Sequence, residues 1–114
     1  MKITRFEEII AWQKAKELTL QIYKDVSVCK DFSFKNQIER ASVSIMNNIA
    51  EGFERQTNKE FKNFLYIAKG SCGEVRSMLI LGVELRYFRK DQAAKLEILS
   101  TEISRIISGF IKTL

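Results

Sequence analysis

A row of cations interrupted by one aromatic ring is the pattern in this sequence with the clearest chemistry. Lys59, Lys62, Tyr66, Lys69, Gly73 and Arg76 recur at three- and four-residue steps, which on an α-helix places them along one line. Cations spaced by about 10 Å along such a line can follow a phosphodiester backbone while Tyr66 stacks on an unpaired base, as in sequence-tolerant single-strand binding. The alternative is a solvated helix face, with Glu60 next to Lys59. The chain carries 19 Lys and Arg against 14 Asp and Glu, a net charge of +5. That excess draws polyanions at long range without defining a site.

A second line, Arg40, Ser44, Asn47, Glu51 and Arg55, has Asn48 beside it at the border of an apolar stripe. Glu51 and Arg55 stand one turn apart and can pair, but an exposed pair contributes only about 0–1 kcal/mol. A contact surface between copies accounts better for the whole line, because polar residues flanking apolar ones set register and partner number in helical assemblies. Asn48, beside Ile45 and Ile49, is expected to have its amide paired at a helix contact.

The equipment of an enzyme is missing. Histidine is absent, no Ser or Cys sits in a nucleophile-elbow context, and Gly70 and Gly73 lack the strand-turn-helix setting of a phosphate loop. Cys29 and Cys72 stand far apart and read as reduced, buried filler, forming neither a redox pair nor a zinc cluster. The expectation is a non-enzymatic protein with no catalytic residues, no cofactor, no metal and no small-molecule substrate. Trp12 reads as a core or interface anchor. The stretch Met1-Lys2-Ile3-Thr4-Arg5 is no signal peptide, and the longest apolar run, Met78 to Val83, is too short to span a bilayer, so a cytoplasmic location without membrane contact is expected.

The elements that must position these lines are helices. Proline is absent, only five glycines occur, and 46% of residues are hydrophobic against 29% charged. Thr4-Arg5-Phe6-Glu7 has capping-box spacing, so a first helix is expected from there to about Cys29, with Ala11, Ala15, Leu18, Ile22 and Val26 inward. Phe34, Ile38, Ala41, Ile45, Ile49 and Phe53 form a second stripe. Thr57-Asn58-Lys59-Glu60 opens a third helix at about Asn58, with Phe61, Phe64 or Leu65, Ala68, Cys72, Val75, Leu79 and Gly82 inward, reaching toward Tyr87. Asp91 is the expected cap of a fourth, carrying Leu96, Leu99, Ile103, Ile106 and Phe110. Gly70-Ser71-Cys72-Gly73 is expected to form a flat waist against a neighbouring helix of this chain or another, with a local bend as the competing reading. Short turns between four amphipathic helices predict a single all-α domain over residues 1–114, an antiparallel up-down-up-down four-helix bundle.

The sequence resembles the 23S rRNA intervening-sequence proteins, also called four helix bundle proteins. Trp12-Gln13-Lys14-Ala15 looks like the family's opening motif. Gln37-Ile38-Glu39-Arg40-Ala41-Ser42-Val43-Ser44-Ile45 followed by Asn48-Ile49-Ala50-Glu51-Gly52 resembles its most recognisable segment, and Lys59-Glu60-Phe61, Phe64-Leu65, Ile67-Ala68 and Gly70-Ser71 with Glu74 resemble the start of its third helix. Two positions depart: Met46 stands where the family usually has proline, and Glu39 where it often has a basic residue. The resemblance implies a ring-like homopentamer with a basic surface suspected of touching RNA, and no established enzyme activity. Some relatives are encoded within rRNA gene insertions, and a related group assists a reverse transcriptase. The combined expectation is a homo-oligomer that binds RNA or another acidic partner through a basic face; a protein-only assembly scaffold or accessory subunit with no nucleic-acid contact is the competing class.

Overall fold

In the computed structural model, which describes residues 2–114, a 3-10 turn at Phe6–Glu8 precedes four α-helices: α1 Ile10–Asp25, α2 Phe32–Phe53, α3 Asn58–Glu84 and α4 Lys90–Ile111. No strand occurs among the described residues. Helices consecutive in sequence pack on each other, α4 closes back on α1, and among the described residues neither diagonal pair brings its backbones together. The bundle measures 43 × 22 × 19 Å, its long axis matching the 27 residues of α3 at about 1.5 Å each.

The inward stripes of α1 to α3 are buried as the periodicity requires, from Ala11, Ala15, Leu18, Ile22 and Val26 through Ile38, Ile45 and Ile49 to Leu65, Ala68, Cys72, Val75 and Leu79. On α4 the line shifts. Ala93, Leu96, Ser100, Ile103 and Ile107 are buried, while Leu99, Ile106 and Phe110 lie half-buried at the edge. Ser100 hides this line in the sequence because it is polar; its hydroxyl donates to the Cys72 carbonyl at 3.1 Å, which removes the penalty of burying it.

Two helix starts differ from expectation. Thr4 does not open α1: its backbone N–H donates to Glu8 Oε1 at 3.0 Å, closing a separate 3-10 turn. Gln13 Nε2 ties that turn to α1 through the Glu7 carbonyl at 2.8 Å, and Phe6 meets the Trp12 ring edge-on at 5.2 Å. Trp12 thus anchors the N-terminal segment. Asp91 is not the cap of α4; Arg89 holds that position, its N–H donating to Gln92 Oε1 at 3.0 Å. At α2, Asp31 accepts from the Phe34 N–H at 3.1 Å, and at α3, Thr57 Oγ1 accepts from the Glu60 N–H at 3.1 Å, each satisfying an amide the helix leaves free.

The α3 terminus determines how α4 returns. Arg86 takes a left-handed conformation (φ 65°), so the Tyr87 N–H reaches the Gly82 carbonyl at 2.8 Å and the Arg86 N–H the Val83 carbonyl at 3.0 Å, a Schellman closure. Tyr87 is thereby placed against Phe34, ring centroids 5.0 Å apart, and its hydroxyl donates to Asp31 Oδ2 at 2.7 Å. That bond, with the one from the Phe34 N–H, holds the Asp31 carboxyl below its ordinary 3.8, and donating to Asp31 holds the Tyr87 phenol above its ordinary 10.0. The stabilisation from Asp31 is present above pH 3.8 and lost as pH falls through its lower folded value. That from Tyr87 is present below pH 10.0 and lost as pH rises through its higher folded value. Tyr87→Phe is expected to melt below wild type at neutral pH, with the gap closing on acidification through the carboxylate range. Because the Phe ring keeps the contact with Phe34, a gap that persists undiminished in acid melts would show that the bond to the Asp31 carboxylate is not what stabilises the wild type.

The glycines sort against expectation. A Cβ built on Gly70 or on Gly73 meets nothing within 4 Å, so no helix of this chain closes on the two glycines, while Ser71 and Cys72 between them are buried. Close approach occurs instead at Gly52 and Gly82. A Cβ on Gly52 would lie 2.7 Å from Phe64 Cβ, and one on Gly82 2.6 Å from Phe88 Cδ2.

Candidate nucleic-acid interface

Helix α3 presents Lys59, Lys62, Tyr66, Lys69 and Arg76 away from its buried stripe. Lys59 and Lys69 are exposed, Lys62 and Arg76 are half-buried along the flank, and Tyr66 is 58% exposed. None of the four cations forms an ion pair among the described residues. Three carboxylates of the bundle pair with other cations: Glu102 with Lys14 at 3.3 Å, Glu39 with Lys35 at 3.5 Å, Glu51 with Arg55 at 3.0 Å. The row is therefore free to meet an outside anion. Its field reaches Cys72 behind it. Burial pushes that thiol up to about 11, and the Ser100 hydroxyl and the Arg76 and Lys69 charges oppose the shift without reversing it. A thiol so placed stays protonated at neutral pH and is a poor nucleophile.

The polar line of α2 is divided by the structure into three roles. Ser44 Oγ lies 2.9 Å from Ser71 Oγ of α3. Asn48 Nδ2 donates to the Ser44 carbonyl at 2.8 Å and to Ser44 Oγ at 2.9 Å. Ser44 thus links α2 to α3, whereas the Asn48 amide, expected at a contact between helices, is paired within its own helix and supports Ser44 from one turn on. Glu51 and Arg55 form their one-turn pair, and the Arg55 guanidinium also stacks over the Phe64 ring at 4.8 Å, a cation–π contact. Arg40 and Asn47 alone are exposed with no side-chain partner among the described residues. Arg40 borders a groove shared with Ser44 and with Glu74 of α3. On the same flank of α3, Ile67 and Leu81 are 52% and 47% exposed, one turn pair to either side of Glu74. Sequence spacing could not separate these roles, because it does not show which neighbour a helix flank faces.

A family profile described by the words 23S rRNA-intervening sequence protein matches residues 7–109. The chain belongs to the 23S rRNA-intervening sequence protein family. A member of the S23 ribosomal protein family from Bacteroides thetaiotaomicron, a protein of unknown function solved by crystallography at 1.70 Å, has the same fold. It is 30% identical, the alignment covers 90% of this chain and 99% of that one, and the TM-score is 0.84. No curated protein matches the chain. Membership in the 23S rRNA-intervening sequence family thus agrees with the four-helix architecture built above from caps and stripes. No helix is long and apolar enough to cross a membrane among the described residues.

Proposed function

We propose that this protein is a non-enzymatic homo-oligomer, a pentamer as the family resemblance implies, that binds RNA through the basic face of α3. The observation that carries the reading is the row Lys59, Lys62, Lys69 and Arg76, four cations on one helix face with no carboxylate partner around an exposed Tyr66. Unpaired cations release the counterions of each phosphate they neutralise, and an exposed aromatic offers a stacking platform to any base. Assembly is supported by the opposite flank of α3, where Ile67 and Leu81 leave apolar surface exposed and Arg40 faces Glu74 across a groove. Opposite charges flanking apolar residues suit a second copy of the chain.

Two measurements test the proposal. Light scattering after gel filtration is expected to give one oligomer at micromolar concentration; a monomer would remove the assembly, and a different subunit number would remove only the pentamer. Fluorescence anisotropy with a labelled single-stranded RNA is expected to show binding whose logarithm falls by about 0.7 per neutralised phosphate for each logarithmic unit of salt. Absence of binding at low salt would leave a protein-only scaffold as the function.

A further inference from the structure

The α3 row is one wall of a groove whose second wall belongs to α4. The two helices are antiparallel neighbours. Their register is fixed where the Ser100 hydroxyl meets the Cys72 carbonyl at 3.1 Å and where Phe61 meets Phe110 edge-on at 5.4 Å. This register lays Arg105 of α4 level with the turn that carries Lys69, and Lys112, the residue that caps α4, level with the turn that carries Lys59 and Lys62. Both are exposed and neither forms an ion pair among the described residues.

The flanks of α4 can be told apart. Glu102 bridges to Lys14 at 3.3 Å, which assigns its side of α4 to α1. The half-buried residues of the other flank, Thr101, Ser104 and Ser108, recur at three- and four-residue steps and border α3. Their hydroxyls make no hydrogen bond to protein among the described residues, unlike those of Thr19, Ser42 and Ser100, which donate to carbonyls. Glu97, half-buried on the same flank at the Arg76 end, bounds the basic stretch.

We infer that the phosphodiester backbone of a single RNA strand lies along the seam between α3 and α4, held by Lys62 and Lys69 from one wall and by Arg105 and Lys112 from the other. The Thr101, Ser104 and Ser108 hydroxyls donate to phosphate oxygens from the floor. The inference rests on the RNA-binding reading and goes beyond it in naming a two-helix site. Packed helix axes stand about 8–10 Å apart, so a backbone between them is within reach of cations on both. Lys, Arg and hydroxyl side chains are the groups that position phosphates without reading sequence. Tyr66, one row further out on α3, then meets the bases. The α2 line lies elsewhere, since α2 does not touch α4, so assembly through α2 leaves the seam open.

The test uses the full-length protein and a labelled oligouridine in anisotropy titrations at two salt concentrations. The double variant Arg105→Glu/Lys112→Glu is expected to bind at least tenfold more weakly and to lose about 1.4 from the salt slope, two phosphates at about 0.7 each. Lys24→Glu/Lys30→Glu changes the net charge equally at exposed, unpaired positions away from the seam and is expected to bind nearly as wild type. Equal losses in the two double variants would overturn the seam in favour of net charge alone. Unchanged binding by the α4 variant, with binding lost on charge reversal in α3, would overturn the seam and leave the α3 site standing. No binding by wild type would overturn both. Should charge reversal on α4 disturb the helical circular dichroism, Arg105→Gln/Lys112→Gln carries the same comparison with a smaller loss.

Discussion

Charge reversal at Lys62, Lys69 and Arg76 is expected to abolish RNA binding while leaving helicity and assembly intact. Three neutralised phosphates give a salt slope of about −2.1, which by itself lowers affinity about 20-fold between 50 and 200 mM salt. Reversal replaces each attraction by a repulsion of similar size, so the loss exceeds that figure at low salt. In an oligomer the same row is repeated on every copy, and a long RNA engaging several copies gains avidity without any new contact. The variant then loses more for long RNA than for short. The fold is not expected to register the change, because Lys69 is exposed, Lys62 and Arg76 are only half-buried, and none of the three forms an ion pair among the described residues. Tyr66→Ala is expected to weaken binding by a further 1–3 kcal/mol, on the order of the usual worth of base–aromatic stacking. Equal affinity of wild type and the triple variant would remove α3 as the site and favour a scaffold that contacts protein only.

The double variant Gly52→Ala/Gly82→Ala is expected to lose up to about 4 kcal/mol of stability. Each added methyl would collide with a residue that cannot easily yield. Phe64 Cβ, 2.7 Å away, is fixed to the α3 backbone, so α2 and α3 would have to separate; at Gly82 the Cβ meets Phe88 at 2.6 Å and Phe34 at 2.9 Å, rings already packed on each other. Overpacking of this kind costs about 1–3 kcal/mol per site, against about 1 kcal/mol that alanine gains over glycine in a helix, and contacts as short as 2.7 and 2.6 Å put both sites toward the costly end. The sites lie at opposite ends of the bundle and their effects should add. Gly70→Ala has the opposite sign: with open space around it, propensity alone acts and stability should rise by about 1 kcal/mol. Thermal melts of the three proteins check the pattern. A lower melting point for Gly70→Ala would place a second copy of the chain against that waist, and an unchanged one for the double variant would show that the helices separate without cost.

Four helices, their order and most of their inward residues were legible in the sequence. Hydrophobic spacing is a property of one helix at a time, and caps such as Thr57 are set by residues three positions away. The stripe of α4 was misread at Leu99, Ile106 and Phe110 because a buried Ser100 counts as polar until its partner carbonyl on α3 is known. The start of α1 was misplaced because Thr4 found Glu8 and closed a 3-10 turn first.

The cationic row of α3 was legible for the same reason as the stripes, since shared facing follows from helical spacing alone. Its freedom from carboxylates was not, because ion pairs such as Lys14 with Glu102 join residues far apart in the chain. Glycine roles were equally hidden: Gly70 and Gly52 look alike in a sequence, and only the position of Phe64 on the facing helix separates an open surface from a closed contact. The division of the α2 line into a seam with α3 and an outward pair, and the register that brings Arg105 level with Lys69 and Lys112 level with Lys62, likewise belong to tertiary structure. Periodicity within a helix is local and written in spacing, whereas which flank meets which neighbour depends on the packing of all four helices at once.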